Sequence, residues 1–152
     1  MMLKIVKANP EDDKILSEIT KKSKAHWGYS DEQMEKWSQD LTITKDYIKK
    51  SKVYKLSLNN KIIAYYSYFN VNENTVKLDN LFVVPEEMGK GYGKMLMNDC
   101  INKTKKEKTA MIILEADPNA EKFYEGFGFL KISQIETSIK NRFLPVMELK
   151  LD

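Results

Sequence analysis

The chain has 152 residues, 42% of them apolar, which is the size of one ordinary domain and enough for a core without disulfide or metal staples. A net charge of +3 is too small for a surface that binds nucleic acid or anionic lipid by charge alone, and one cysteine (Cys100) with one histidine (His26) excludes an internal disulfide and a Cys/His zinc cluster. The first ten residues carry no apolar signal core, and the apolar run Ala110 to Leu114 is far short of the ~20 residues of a membrane helix, so a cytoplasmic protein with no metal is expected.

Met2 to Ala8 alternates as a first strand, and Asn9-Pro10-Glu11-Asp12-Asp13 supplies a cap, a helix-starting proline and acids for a first helix. At a 3.6-residue period His26 falls on the stripe begun by Ile15, which points its side chain inward or into a cleft. Gly28 ends that helix, Asp31 caps a second with Met34 and Trp37, and Thr44 caps a third through Lys50. Val53 to Leu58, Ile62 to Asn70 and Thr75 to Val84 read as an antiparallel meander broken at Asn59-Asn60-Lys61 and Asn72-Glu73-Asn74.

Pro85 ends the third of these strands. Tyr92 to Lys106 is an amphipathic helix with Tyr92, Met95, Leu96, Met97, Cys100 and Ile101 on its apolar face. Thr109 to Leu114 reads as a strand buried on both faces, Pro118 to Glu125 as a short helix stopped by Gly126 and Gly128, and Phe129 to Thr137 and Phe143 to Leu151 as two final strands. No repeat or linker divides the chain, so one α+β domain over 1–152 is expected.

The stretch Leu81-Phe82-Val83-Val84-Pro85-Glu86-Glu87-Met88-Gly89-Lys90-Gly91-Tyr92-Gly93-Lys94 sets three alternate glycines between a strand and a helix. Such a loop turns backbone N–H groups toward one point at the positive end of a helix, which suits a phosphate. It is not a P-loop, since G-x-x-x-x-G-K-[ST] is absent, and it lacks the third glycine of a dinucleotide loop.

The loop resembles the acyl-coenzyme A loop of the GNAT N-acetyltransferase family, Q/R-x-x-G-x-G/A, through Gly91 and Gly93, with Met88 where Gln or Arg is usual. A second segment, Ala116-Asp117-Pro118-Asn119-Ala120-Glu121-Lys122-Phe123-Tyr124-Glu125-Gly126-Phe127-Gly128-Phe129, is similar to the family's N-x-x-A-x-x-x-Y-x-x-x-G-F through Ala120, Tyr124, Gly128 and Phe129. There Asp117 replaces the commoner Asn, with Asn119 at hand to take its polar role. The segment Ser23 to Tyr29 and the closing Arg142 to Leu149 also look like those of small bacterial members of unassigned substrate.

The resemblance implies a single-domain fold with a central mixed, mostly antiparallel sheet of about seven strands flanked by helices, in which a splayed strand pair binds acyl-CoA. It implies acetyl-CoA as cofactor, held by Leu81 to Val84, Met88 to Lys94, Asp117, Asn119, Ala120, Phe123 and Tyr124. The implied reaction moves acetyl directly to a primary amine of a small molecule; a non-catalytic acyl-CoA sensor and an enzyme acting on a protein amine are the alternatives. Tyr124 is the implied general acid, since a phenol is protonated at neutral pH and donates to a departing thiolate. Backbone N–H groups near Phe82 to Val84 are implied to pair with the pantetheine arm and to hold the thioester oxygen.

The base stays open among Asp79, Glu115, His26 and a chain of waters. Trp27, Tyr29 and Trp37 are acceptor-pocket walls or lid packing, and His26 and Asp79 count among the acceptor residues. Arg142 either pairs an acceptor carboxylate or sits at a turn. Cys100 reads as a buried hydrophobe and Lys103 to Lys108 as a solvated helix end. No nucleic-acid or membrane partner is expected, and strand edges in the last hairpin leave room for a homodimer.

Overall fold

A computed structural model describes residues 2–152. The elements are β1 (Leu3–Lys7), α1 (Asp13–Ala25), α2 (Asp31–Trp37), α3 (Lys45–Lys50), β2 (Lys52–Leu58), β3 (Lys61–Asn70), β4 (Thr75–Val83), α4 (Tyr92–Lys106), β5 (Met111–Glu115), α5 (Glu121–Glu125), β6 (Leu130–Glu136) and β7 (Phe143–Lys150). Seven strands form a sheet in the order β1-β2-β3-β4-β5-β7-β6. The β1–β2, β2–β3, β5–β7 and β6–β7 ladders are antiparallel, and β4–β5 is parallel, so the sheet is mixed as expected.

Local chemistry fixes the connections. Asn59 and Asn60 take φ of 50° and 70°, so the two-residue link from β2 to β3 turns with the strand twist in a conformation asparagine tolerates. The Val71 N–H donates to the Thr75 carbonyl at 2.9 Å and closes the turn before β4. Thr44 caps α3 by accepting from the Tyr47 N–H at 3.0 Å.

The chain forms two compact units, one running to Tyr68 and resuming over Asn80–Cys100, the other made of Phe69–Asp79 with Ile101–Asp152. In the first, Leu16, Ile19, Leu56, Ile63, Tyr65, Leu96 and Met97 are buried, each full burial of such a side chain being worth ~1.5–3 kcal/mol. There Lys55 reaches the Asp12 carboxylate at 2.7 Å with both side chains largely covered, tying the start of α1 to β2. The Tyr66 hydroxyl donates to Asp99 at 2.6 Å, and burial together with that acceptor pushes its pKa far above the usual phenol range. In the second unit Ile112, Leu114, Phe129 and Met147 are buried.

Several expectations are corrected. A 3-10 turn, Pro10–Asp12, precedes α1, and the buried stripe is Leu16, Ile19, Thr20 and Ser23 rather than one starting at Ile15. His26 follows the last helical residue and keeps helical φ and ψ with its N–H on the Lys22 carbonyl, yet its side chain is exposed, because the covered face of α1 ends at Ser23. Ser30, not Asp31, caps α2, accepting from the Gln33 N–H at 3.1 Å. β5 is not buried on both faces: Ile112 and Leu114 are covered while Met111 and Ile113 are only half-covered. Thr109 lies outside β5, as the positive φ of Lys108 (62°) turns the chain before it.

Candidate active site

The end of β4 is held from two sides within the first unit. The Val84 N–H donates to the Ile63 carbonyl at 2.9 Å, and the Ser23 hydroxyl, on the last turn of α1, donates to the Val83 carbonyl at 2.7 Å. Behind Ser67, Asn80 Nδ2 donates to the Ser67 hydroxyl (2.9 Å) and to the Tyr47 hydroxyl (3.2 Å), and these two hydroxyls lie 2.8 Å apart. Ser67 is fully buried, so this trio satisfies polar groups that would otherwise be costly beneath the strand. Leu81, Phe82 and Val83 are half-buried, Val84 buried.

Pro85 starts a single 3-10 turn closed by the Met88 N–H donating to the Pro85 carbonyl at 3.2 Å. Gly89 and Gly91 then take φ of +79° and +88°, a region that strains any residue with a Cβ. Nothing lies within 4 Å of where a Cβ would stand at either position, so the backbone is open to an approaching group. α4 begins at Tyr92, whose ring is buried, and its first closing bond runs from the Met95 N–H to the Gly91 carbonyl at 3.1 Å. The N–H groups of that first turn have no acceptor inside the helix and sit at the positive end of its dipole. Gly93 lies in this turn, Lys94 is exposed, and Lys90 pairs with Glu87 at 3.0 Å. The loop therefore offers backbone donors, dipole and free space to an anionic group, as a phosphate needs.

In the second unit Asp117 precedes the 3-10 turn Pro118–Ala120 that leads into α5. Its Oδ1 accepts from the Asn119 N–H at 2.9 Å and from Asn119 Nδ2 at 2.8 Å. Its Oδ2 pairs with Arg142 at 3.2 Å, with both side chains largely buried. Arg142 thus meets a carboxylate of its own chain. Ala120 and Phe123 are half-buried, and Tyr124 on α5 is buried to 8% exposure, its ring edge-on to Phe123 (5.2 Å) and Phe129 (5.6 Å). The Tyr124 carbonyl accepts from the Phe127 and Phe129 N–H groups at 3.0 and 3.2 Å, which fixes the Gly126 to Gly128 turn behind it.

Of the base candidates, Asp79 and His26 are exposed and Glu115 is held by Lys77 at 2.7 Å. Trp27 is 46% exposed and lies edge-on to His26 at 5.5 Å, while Tyr29 lies edge-on to Trp37 at 4.8 Å with the Lys24 ammonium over both rings. Sequence reasoning missed Lys24, Ser23 and the Tyr47–Ser67–Asn80 trio. Ser67 inside Tyr65-Tyr66-Ser67-Tyr68 and Asn80 inside Leu78 to Val84 were the available signal, since a polar residue in an apolar strand asks for a buried partner.

The family model for the acetyltransferase (GNAT) domain matches residues 17–151. The UPF0039 protein C11D3.02c of Schizosaccharomyces pombe is 30% identical over 77 residues, 49% of this chain and 51% of that protein, so the match spans about half the length of that curated relative. Among solved structures, the PaiA N-acetyltransferase of Thermoplasma acidophilum in complex with coenzyme A superposes with a TM-score of 0.80 at 20% identity over 99% of both chains. The ribosomal-protein-S18-alanine N-acetyltransferase of Escherichia coli gives 0.75 at 20% identity over 99% of this chain and 94% of that one. Likeness at this identity establishes the fold. Among the described residues no helix is long and apolar enough to cross a membrane.

Proposed function

The chain belongs to the GNAT acetyltransferase domain family, and on that premise we propose that residues 1–152 act as one acetyl-CoA-dependent N-acetyltransferase domain that acylates a primary amine of a small molecule by direct transfer. The observation that carries this reading is the pair of open, positive-φ glycines, Gly89 and Gly91, at the N-terminus of α4: it is a cradle for the pyrophosphate of coenzyme A. The similar PaiA structure contains coenzyme A, which supports the same ligand here. Bound acetyl-CoA supplies an acyl group activated as a thioester.

The chain's own residues divide the remaining work. Because the Val84 N–H is committed to Ile63, the N–H of Val83, one residue earlier and facing the other side of the strand, is the donor assigned to the thioester oxygen. Leu81 and Phe82 line the pantetheine arm. The Tyr124 hydroxyl donates its proton to the departing sulfur, and a donor in this role is worth ~10²–10⁴ in rate. Removal of the ammonium proton from the acceptor falls to Asp79, to His26, or to water; Glu115 would first have to leave Lys77.

The test is calorimetric titration with coenzyme A together with turnover of Tyr124→Phe. Unchanged coenzyme A affinity with turnover lowered by about 10² or more is expected. Equal turnover in the variant would remove Tyr124 from the acid role, and absence of coenzyme A binding would remove the cofactor assignment. A second reading, an enzyme acting on a protein amine, is favoured by the similarity to the ribosomal-protein-S18-alanine N-acetyltransferase, and a peptide arm in the same assay separates the two.

A further inference from the structure

Ser23 stands on the covered face of α1, one turn after Thr20, and is 2% exposed. Serine is a poorer helix former than alanine, and a buried hydroxyl is costly unless bonded, so packing alone does not call for one there. The two hydroxyls are used differently. Thr20 donates to the Leu16 carbonyl of its own helix at 2.7 Å and lies against the Tyr65 hydroxyl, whereas Ser23 reaches out of the helix and donates to the Val83 carbonyl of β4 at 2.7 Å.

The carbonyl that Ser23 holds belongs to the peptide whose other end is the Val84 N–H, and that N–H donates to the Ile63 carbonyl at 2.9 Å. A peptide is planar, so holding its two ends from opposite sides fixes its orientation. Along a strand the N–H and the carbonyl of one residue face the same edge, so the held Val83 carbonyl shares an edge with the Val83 N–H, away from β3. Pro85 follows with no N–H to give to the sheet, so the clamped peptide stands where β4 gives way to the loop of Gly89 and Gly91.

We propose that Ser23 is a positioning residue for acetyl transfer: by clamping the Val83–Val84 peptide it aims the Val83 N–H at the thioester oxygen. The proposal rests on the acetyltransferase reading, in which that N–H stabilises the charge that grows on the oxygen. Such a donor works only at the right distance and angle, so a small rotation of the neighbouring peptide lowers the rate. It has little effect on cofactor binding, which the glycine loop supplies. The Ser23 hydroxyl also occupies a carbonyl oxygen that otherwise faces the same edge as the growing negative charge.

The test compares Ser23→Ala with Thr20→Val, which strips a hydroxyl from the same covered face but leaves the bond to Val83 in place. In Ser23→Ala, kcat is expected to fall by about tenfold or more, while the KM for acetyl-CoA and the calorimetric affinity for coenzyme A stay within about twofold. Thr20→Val is expected to keep kcat within about twofold even if it melts as early. Infrared spectra of bound acetyl-CoA, isotopically labelled at its acetyl carbonyl, read the aim of the donor. The bound carbonyl is expected to absorb at lower frequency than the free one in the wild type and in Thr20→Val, and to lose most of that shift in Ser23→Ala. An unchanged kcat or shift in Ser23→Ala, or an equal loss in both variants, would overturn the role. Should Ser23→Ala fail to fold, Ser23→Cys, with a weaker donor of similar size, takes its place: a fall in kcat of at least about threefold is expected, and none would refute the role. A further reading needs no cofactor. Hydrogen exchange of the Val84 amide in the free chain is expected to quicken about tenfold in Ser23→Ala and not in Thr20→Val, and wild-type exchange in Ser23→Ala would refute the clamp while leaving acetyl transfer standing. A wild type that shows the clamp by exchange yet acetylates no amine would instead overturn the acetyltransferase reading, and the role with it.

Discussion

Arg142 was a candidate for binding an acceptor carboxylate, and its pairing with Asp117 makes a sharp prediction. Arg142→Ala removes the guanidinium 3.2 Å from Asp117 Oδ2 and strands a carboxylate in a site where the two side chains are 12% and 14% exposed. Deleting one partner of a buried pair costs ~3–5 kcal/mol. Asp117 keeps the two donors of Asn119, so the lower end applies, about 3 kcal/mol. For a chain of this size ~1 kcal/mol moves the melting temperature by ~2–4 °C, so a fall of about 6–12 °C is expected. Asp117→Asn keeps an acceptor for Asn119 but removes the charge opposite Arg142. If the two residues act as a pair, the double variant is less destabilised than the sum of the singles by at least ~1 kcal/mol. Thermal melts of the four proteins measure this, and costs that add within ~0.5 kcal/mol would refute the reasoning. The same variants ask whether Arg142 binds an acceptor: an unchanged KM for the amine is expected.

Other outcomes follow from single contacts. Gly91→Ala meets no atom but forces a Cβ into φ +88°, so it is expected to cost ~1–2 kcal/mol and to weaken coenzyme A binding by at least threefold, read by denaturation and calorimetry. Tyr66→Phe removes the buried hydroxyl that donates to Asp99 and is expected to lower stability by ~1–3 kcal/mol in urea denaturation. The hydrogen bond and charge of Lys45 hold the Asp13 carboxyl below its ordinary range, so that pair stabilises the fold above the ordinary aspartate pKa and the gain is lost as pH falls through the lowered value. Acid titration of wild type against Lys45→Met is expected to show the two stabilities starting to converge near about pH 4 and meeting only below the lowered Asp13 value, and a constant gap would contradict it.

Much of the architecture was legible because strands and helices here obey local rules. Alternation marked β1, β-rich runs parted by asparagine turns marked β2 to β4, Thr44 marked α3, and the glycine-punctuated loop marked the turn into α4. What escaped depended on neighbours distant in sequence. Periodicity put His26 on an inward stripe, and its backbone is still helical, but the covered face of α1 ends at Ser23, which depends on what packs against it. The apolar run at β5 hid that Met111 and Ile113 are only half-covered, which depends on what packs above the sheet. Asp117 looked like a departure from the family's asparagine until its partner, 25 residues on, appeared as Arg142. The contact of Lys24 with Tyr29 and Trp37 was invisible because a cation–π corner has no sequence spacing of its own.

The central claim is that this chain moves an acetyl group from coenzyme A to an amine. The direct measurement is thiol release from acetyl-CoA by the full chain across a panel of small amines, diamines and peptides, with products weighed by mass spectrometry. Amine-dependent thiol release matched one-for-one by an N-acetylated product is the predicted result. Coenzyme A binding without any acetylated product across the whole panel would contradict it and leave an acyl-CoA-binding module in its place.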